Sequence, residues 1–387
     1  MEKFQNIEDF TVRRLIAQNL EYWTDKKWIR DNIKRFFKKY NKNKLLIFVE
    51  INFGKISYKG GGKGRNTAFE SMNKVLQAIV KHKKYKNLQV SFLISLQDEA
   101  YHRTIKIFDF RKHPNDQPKS HHFKWGVSQK SNDVCRIEES SSFDLNIPLF
   151  SLNHVLDGNI IFPHQNIVNN GFSKINDQSQ FNDKRDKAIY RFSNIRADLN
   201  IPSRVKLVEM SYKNPDLLDC RGAKRGPHPG HDKYILQKVF LKVYRSENLI
   251  DKNLSDEDLD KMMEYYKVSN FISKSDIIKN KYLICTDSWY NVCDYALINS
   301  ILFRYKLDKC KYYEDFIFED NQDFFIFDEH NFKERFTKVK NISNQELIEK
   351  IEVRKKKVKN YLEFEKLVDN YGQLLTEFSK IQQINEI

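Results

Sequence analysis

The feature that most constrains the fold is a repeated alternation of strand-length apolar runs with helical periods. "KLLIFVEINFG" (44–54) is short, apolar and rich in β-branched residues, as a buried strand is. "NTAFESMNKVLQAIVKHKK" (66–84) then places apolar residues at helical spacing, and "NLQVSFLISLQDEA" (87–100) is apolar again before it ends in acids. Strand, helix and strand in this order predict an α/β layer with a parallel sheet. The pattern returns further on. "KAIYRF" (187–192) reads as a strand, "PSRVKLVEMSYK" (202–213) as a helix, "KYLICTD" (281–287) as a strand, "NVCDYALINS" (291–300) as a helix and "ILFRY" (301–305) as a strand.

Length fits two such halves, because 387 residues exceed what one ordinary core organises. Residues 1–43 carry one or two charged helices. The two α/β halves are expected at 44–175 and 183–340, joined through the polar stretch 169–186. A tail at 341–387 opens with a Ser-x-x-Glu capping pattern at Ser343 and Glu346 and reads as long helix. "KGGGKGR" (59–65) reads as a turn, and 111–145, rich in Ser, Asp, His and Pro, as loop. The expected architecture is α/β, with two Rossmann-like halves facing a cleft and a long C-terminal helix.

The formal charge of +15 raises nucleic acid as a partner. Its basic runs are scattered and its Lys and Asn are spread along the whole chain, so solvated faces account for most of the excess and the reading disfavours nucleic acid. The five cysteines are odd in number and form no Cys-x-x-Cys pair, which argues against a disulfide framework or a structural zinc site. The start has no apolar signal core and no run reaches membrane-spanning length, so a cytoplasmic protein with at most peripheral membrane contact is expected.

Four places invite chemistry. The Gly-rich turn is not a P-loop, because Lys63 is followed by Gly64. His121, His122, His228 and His231 match no zinc spacing, and no metal is expected. Asp98 and Glu99 end a buried strand, where open α/β sheets bind ligands, and a carboxylate there can act as general base. The fourth is "AIYRFSNIRADLNIPSR" (188–204). Arg191, Ser193, Arg196 and Arg204 fall where a strand hands over to a helix, and a helix N-terminus with guanidinium forks suits a phosphate or diphosphate. Pairing of these arginines with nearby acids is the alternative.

Four blocks in order resemble the CAP10-like glycosyltransferases of family 90: "SFLISLQDEA", "IPLFSLNHVLDGNIIFPHQN", "KAIYRFSNIRADLNIPSRVKLVEMSYKNPDLLD" and "KNKYLICTDSWYNVCDYALINSILFRYKLDKCKYYEDFI". Together they cover about residues 45–320. The resemblance implies a GT-B-like fold and an inverting transfer from a UDP-sugar to a hydroxyl of a glycan or protein, without an obligatory metal or other cofactor. It places Asp98 as general base and Arg191, Ser193, Arg196 and Arg204 on the donor diphosphate. Pro163, Asp287, Ser300 and Tyr313 fall on matching positions as further donor or cleft residues. The chain departs from the pattern at Phe192, at Ser288-Trp289-Tyr290, and in "NVCDYAL", which has no arginine. Those departures keep an inactive, glycan-binding relative as an alternative, beside a basic nucleic-acid-binding protein.

Overall fold

The computed structural model describes residues 2–26, 33–35, 37–38, 46–60, 66–95, 148–152, 159–169, 172, 175–193, 202–223, 241–242, 244–246, 248, 250–265, 274–285, 295–305 and 313–384. They form a mixed α/β structure with two five-stranded sheets.

The first sheet has the order β2-β1-β3-β4-β5, from β1 (Leu46–Asn52), β2 (Lys55–Gly60), β3 (Gln89–Ser95), β4 (Leu149–Ser151) and β5 (Asn159–Ile161). Here the parallel expectation fails. β1 pairs antiparallel with both β2 and β3, while β3, β4 and β5 run parallel. The cause is a tight hairpin at Phe53–Gly54, where both residues have positive φ, 46° and 79°. It reverses the chain before the crossover helix begins. The crossover therefore joins β2 to β3, with β1 between them. Part of the expected Gly-rich turn is thus strand as far as Gly60, and residues 61–65 lie outside the described set. β1 buries consecutive residues from Leu46 to Val49, as a strand covered on both faces does.

Three helices cover this sheet. α1 (Phe10–Thr24) is capped by Asp9, whose carboxylate accepts from the amides of Thr11 and Val12. α2 (Asn66–Lys81) is the crossover helix. The third comes from the far end of the chain and is described below.

The second sheet is wholly parallel, in the order β10-β9-β8-β6-β7. Its strands are β6 (Arg185–Ser193), β7 (Leu218–Ala223), β8 (Asn280–Cys285), β9 (Ile301–Tyr305) and β10 (Phe325–Phe327). Its helices are α3 (Pro202–Lys213), α4 (Asp256–Glu264) and α5 (Phe332–Lys340). Its two faces enter different cores. Ala188, Tyr190, Leu218, Cys220, Tyr282 and Ile284 pack with α3, α4 and α5. Ile189, Leu283, Cys285 and Leu302 join the core of the first sheet.

The helix expected over 291–300 is not continuous, because Ala296–Ser300 is turn. The physical reason is Arg354, which is 1% exposed. It donates Nε to Ala296 O (2.9 Å) and Nη2 to Ile298 O (2.6 Å) and Ser300 O (2.9 Å), so these carbonyls serve a guanidinium. The expected linker is also pinned. Asp177 and Lys184 form an ion pair of 2.6 Å with side chains 2% and 0% exposed.

The tail is two helices. α6 (Asn344–Lys357) is capped by Ser343, which accepts from Glu346 N at 3.2 Å, while the Glu346 carboxylate faces Lys350 at 3.5 Å. A π-turn at Val358–Leu362 and an extended Glu363 (φ −60°, ψ 143°) break the axis. α7 (Phe364–Ile384) then returns to the first sheet, burying Leu367, Tyr371, Leu374, Leu375 and Phe378 at helical spacing.

Candidate functional site

In the parallel sheet, β6 is followed by β7 on one side and by β8 on the other, so the strand order reverses between β6 and β8. In open parallel sheets, ligands sit in the crevice beyond the carboxyl ends of the strands at such a reversal. At this reversal β6 ends with Tyr190, Arg191, Phe192 and Ser193, and β8 ends with Cys285. α3 begins at Pro202, whose fixed φ and missing amide suit a first helical position.

Arg191 stands on the β6 face that carries Ile189, which is the face turned toward the first sheet's core. Register puts Ile189 opposite Asp219 and Arg191 opposite Arg221 on β7. Arg191 Nη2 donates to Asp219 Oδ2 at 2.7 Å, and Nη1 donates to Asp219 O (2.6 Å) and Tyr190 O (2.9 Å). Its Nε is buried without a hydrogen-bond partner. Arg221 Nε donates to Asp219 Oδ1 at 2.8 Å, and its guanidinium lies 5.2 Å from the centre of the Tyr265 ring. Burial pushes the Asp219 carboxyl upward, but Arg191 and Arg221 outweigh it and hold the group below the usual aspartate range. Two guanidiniums on one carboxylate leave a net positive charge at the ends of β6 and β7.

The same face carries a second pair at the end of β9. Arg304 Nη2 donates to Asp315 Oδ2 at 2.9 Å, with Arg304 buried and Asp315 mostly so. The opposite face carries Glu329, which accepts from Tyr305 at 2.6 Å and pairs with Lys206 of α3. Burial alone would raise the Glu329 carboxyl, but those two partners bring it down to about 2.

Of the residues singled out in the sequence, Asp98, Arg196 and Asp287 lie outside the described set. Ser193 is the last residue of β6 and Arg204 lies in the first turn of α3, and the side chains of both are also outside it. The strand leading to Asp98 ends at Ser95, beside the parallel ends of β4 and β5. Pro163 is buried just after β5, next to His164, whose Nδ1 accepts from Asn166 N at 3.2 Å and caps the following turn.

Ser300 lies at the opposite edge of its sheet, at the amino ends of the strands, contrary to its expected place in a donor cleft. It accepts from Lys184 Nζ (3.0 Å) and donates to Asn280 O (2.8 Å), which locks the start of β9 to the starts of β6 and β8. Tyr313 is also not at a strand end. It is 1% exposed, its ring lies near Tyr371 of α7, and burial pushes its hydroxyl pKa upward.

Asp219, Arg221, Arg304 and Asp315 were not legible as site residues, although "DLLDCRGA" and "YYEDF" flank or lie within the quoted blocks. A strand ending Asp-x-Arg beside another ending in Arg would have been the signal. Among the described residues no cluster of His, Cys, Asp or Glu is suited to a metal ion, and Cys220 and Cys285 are buried and not disulfide-bonded. No described helix is long and apolar enough to cross a membrane. No family model matches the chain, and no curated protein is significantly similar to it.

Proposed function

We propose that the protein is an inverting glycosyltransferase of GT-B-like architecture that takes a UDP-sugar as donor. The observation that supports this most is the order reversal at β6/β8 beside the Arg191–Asp219–Arg221 cluster, a strand-end position whose charge suits a nucleotide diphosphate. The resemblance to the family 90 enzymes supplies the reaction.

In this reading Asp98 takes the proton of an acceptor hydroxyl as its oxygen attacks the anomeric carbon. The bond from that carbon to the UDP oxygen breaks, and the diphosphate leaves with the electron pair. Arg196, Arg204, Ser193 and the start of α3 meet the developing charge. Arg191 acts mainly by charge, because Asp219 already takes two of its nitrogens. The acceptor is a hydroxyl of a glycan or protein. Arginines carry the charge that a divalent ion carries elsewhere, so the reaction proceeds in EDTA.

The test is UDP release from a panel of UDP-sugars, in EDTA, by the wild type and by Asp98→Asn. The expected result is turnover in the wild type and a loss of about 10²–10⁴-fold in the variant, the scale of general base catalysis. Equal turnover in both removes Asp98 from the mechanism. Activity that is lost in EDTA and restored by Mn²⁺ contradicts the metal-free reading.

A further inference from the structure

The β1–β2 hairpin breaks a local rule at its tip. Asn52 and Lys55 pair across a two-residue turn in which Phe53 and Gly54 both have positive φ. Such a turn favours Asn, Asp or Gly at its first central position, and a bulky residue there is strained. Packing does not repay Phe53. The residue is 60% exposed, more than Phe10 or Val353, the other large hydrophobics exposed among the described residues. A residue that breaks local preference and adds nothing to the core points to a use outside the chain.

The surroundings of the tip say what kind of use. Phe53 N donates to Leu88 O at 3.3 Å, and Gly54 lies against the Val80 carbonyl. The tip therefore sits beside the end of α2 and the turn after it. Lys55, Lys59, Lys81, Lys83, Lys84 and Lys86 are all exposed, and residues 51–60 and 78–89 contain no Asp or Glu. Among the described residues, Lys84 is the one of these lysines paired with a carboxylate, that of Asp369 at 3.0 Å.

We propose that this tip docks on an anionic phospholipid surface. Phe53 inserts at the boundary of headgroups and acyl chains, and Lys55, Lys81, Lys83 and Lys86 meet the anionic headgroups. One apolar anchor binds a bilayer weakly, and basic residues beside it make the binding stable. Single-stranded nucleic acid fits less well, because it uses a groove with successive stacking platforms, whereas this is one ring on a convex turn. The tip faces the start of β3, since Asn52 pairs with Gln89. The Asp98 segment leaves from the other end of that strand, about 20 Å away at 3.3 Å per residue. Docking thus leaves the proposed acceptor edge clear, and the inference stands without the glycosyltransferase reading.

The test is co-sedimentation of the full chain with phosphatidylcholine vesicles, with and without phosphatidylserine. The expected result is binding only with phosphatidylserine, weakening as salt rises. Replacing Lys81, Lys83 and Lys86 together by Gln reduces binding by about 100-fold, at about fivefold per lysine. Phe53→Asn makes the turn Asn-Gly, so it leaves melting temperature unchanged or raised while vesicle binding drops several-fold. Absence of binding to phosphatidylserine vesicles overturns the proposal. So does Phe53→Asn binding as well as wild type, or binding to a single-stranded oligonucleotide without binding to vesicles.

Discussion

Asp219 shows how much one carboxylate organises at the end of the parallel sheet. It neutralises one guanidinium, is shared by two, and holds Arg191 in a pocket where its side chain is 6% exposed. Asp219→Asn keeps the shape and removes the charge. It should cost about 3 kcal/mol at neutral pH, the low end for breaking a buried pair, because Asp219 itself is partly exposed. The sign with pH follows from the depressed carboxyl. Its stabilisation is complete above the unfolded aspartate value of about 3.9 and is lost as pH falls through the lower folded value. Denaturant melts of both proteins should converge in acid below that point. A gap that stays constant there assigns the loss to shape and not to charge. The sequence showed Arg191 as an arginine at a strand end. It could not show Asp219 as the partner, because the contact depends on the pairing register of two parallel strands whose residues are 28 positions apart.

The elements that the sequence revealed are those with a period and clear ends. β1, β3, β6, β8 and β9 were legible as apolar runs, and α2 and α3 as amphipathic or capped helices. β2 was not, because its turn carries Phe where Asn would announce a hairpin and its residues are half lysine and glycine. β7 was hidden in "LDCRGA", which is polar and contains Gly. The break in the tail was hidden as well. No Pro or Gly marks Glu363, and the helical pattern runs through it. The axis breaks because α6 packs with the second sheet and α7 with the first.

Two side chains of α7 show how closely it fits. Gln382 bonds both the amide (3.0 Å) and the carbonyl (2.9 Å) of Ser91, two positions before Leu93, where the described pairing of β3 with β4 begins. Gly372 lets the Tyr85 ring approach so closely that a Cβ there would lie 2.4 Å from it, and Tyr85 is held by a hydrogen bond to Asp369 O at 2.8 Å. Gly372→Ala gains about 1 kcal/mol in helix propensity but forces an anchored ring to move, which costs about 1–3 kcal/mol. The expected outcome is net destabilisation in a urea melt. A more stable variant would show that Tyr85 relocates freely.

At the scale of the molecule, the ends of the chain hold the two sheets together. Arg14 of α1 donates to the Phe316 carbonyl at 3.0 Å and pairs with Glu319. Lys357, the last residue of α6, reaches Asp323 at 2.7 Å. Leu367, Tyr371, Leu374, Leu375 and Phe378 of α7 are fully buried against the first sheet. At about 1.5–3 kcal/mol each they contribute roughly 10 kcal/mol, as much as a whole domain's stability. A chain ending at Glu363 should therefore lose its cooperative thermal transition, and a folded truncated protein would contradict this packing.

We propose that the ends of β6 and β8 hold a nucleotide diphosphate. The most direct measurement is the thermal shift of the full chain with UDP, UDP-sugars, other nucleotides and inorganic phosphate, each with EDTA. The expected result is a rise with UDP or one UDP-sugar, corresponding to about 2.7 kcal/mol at 100 times Kd. No rise with any nucleotide would contradict it and leave Arg191 and Arg221 as partners of Asp219 alone.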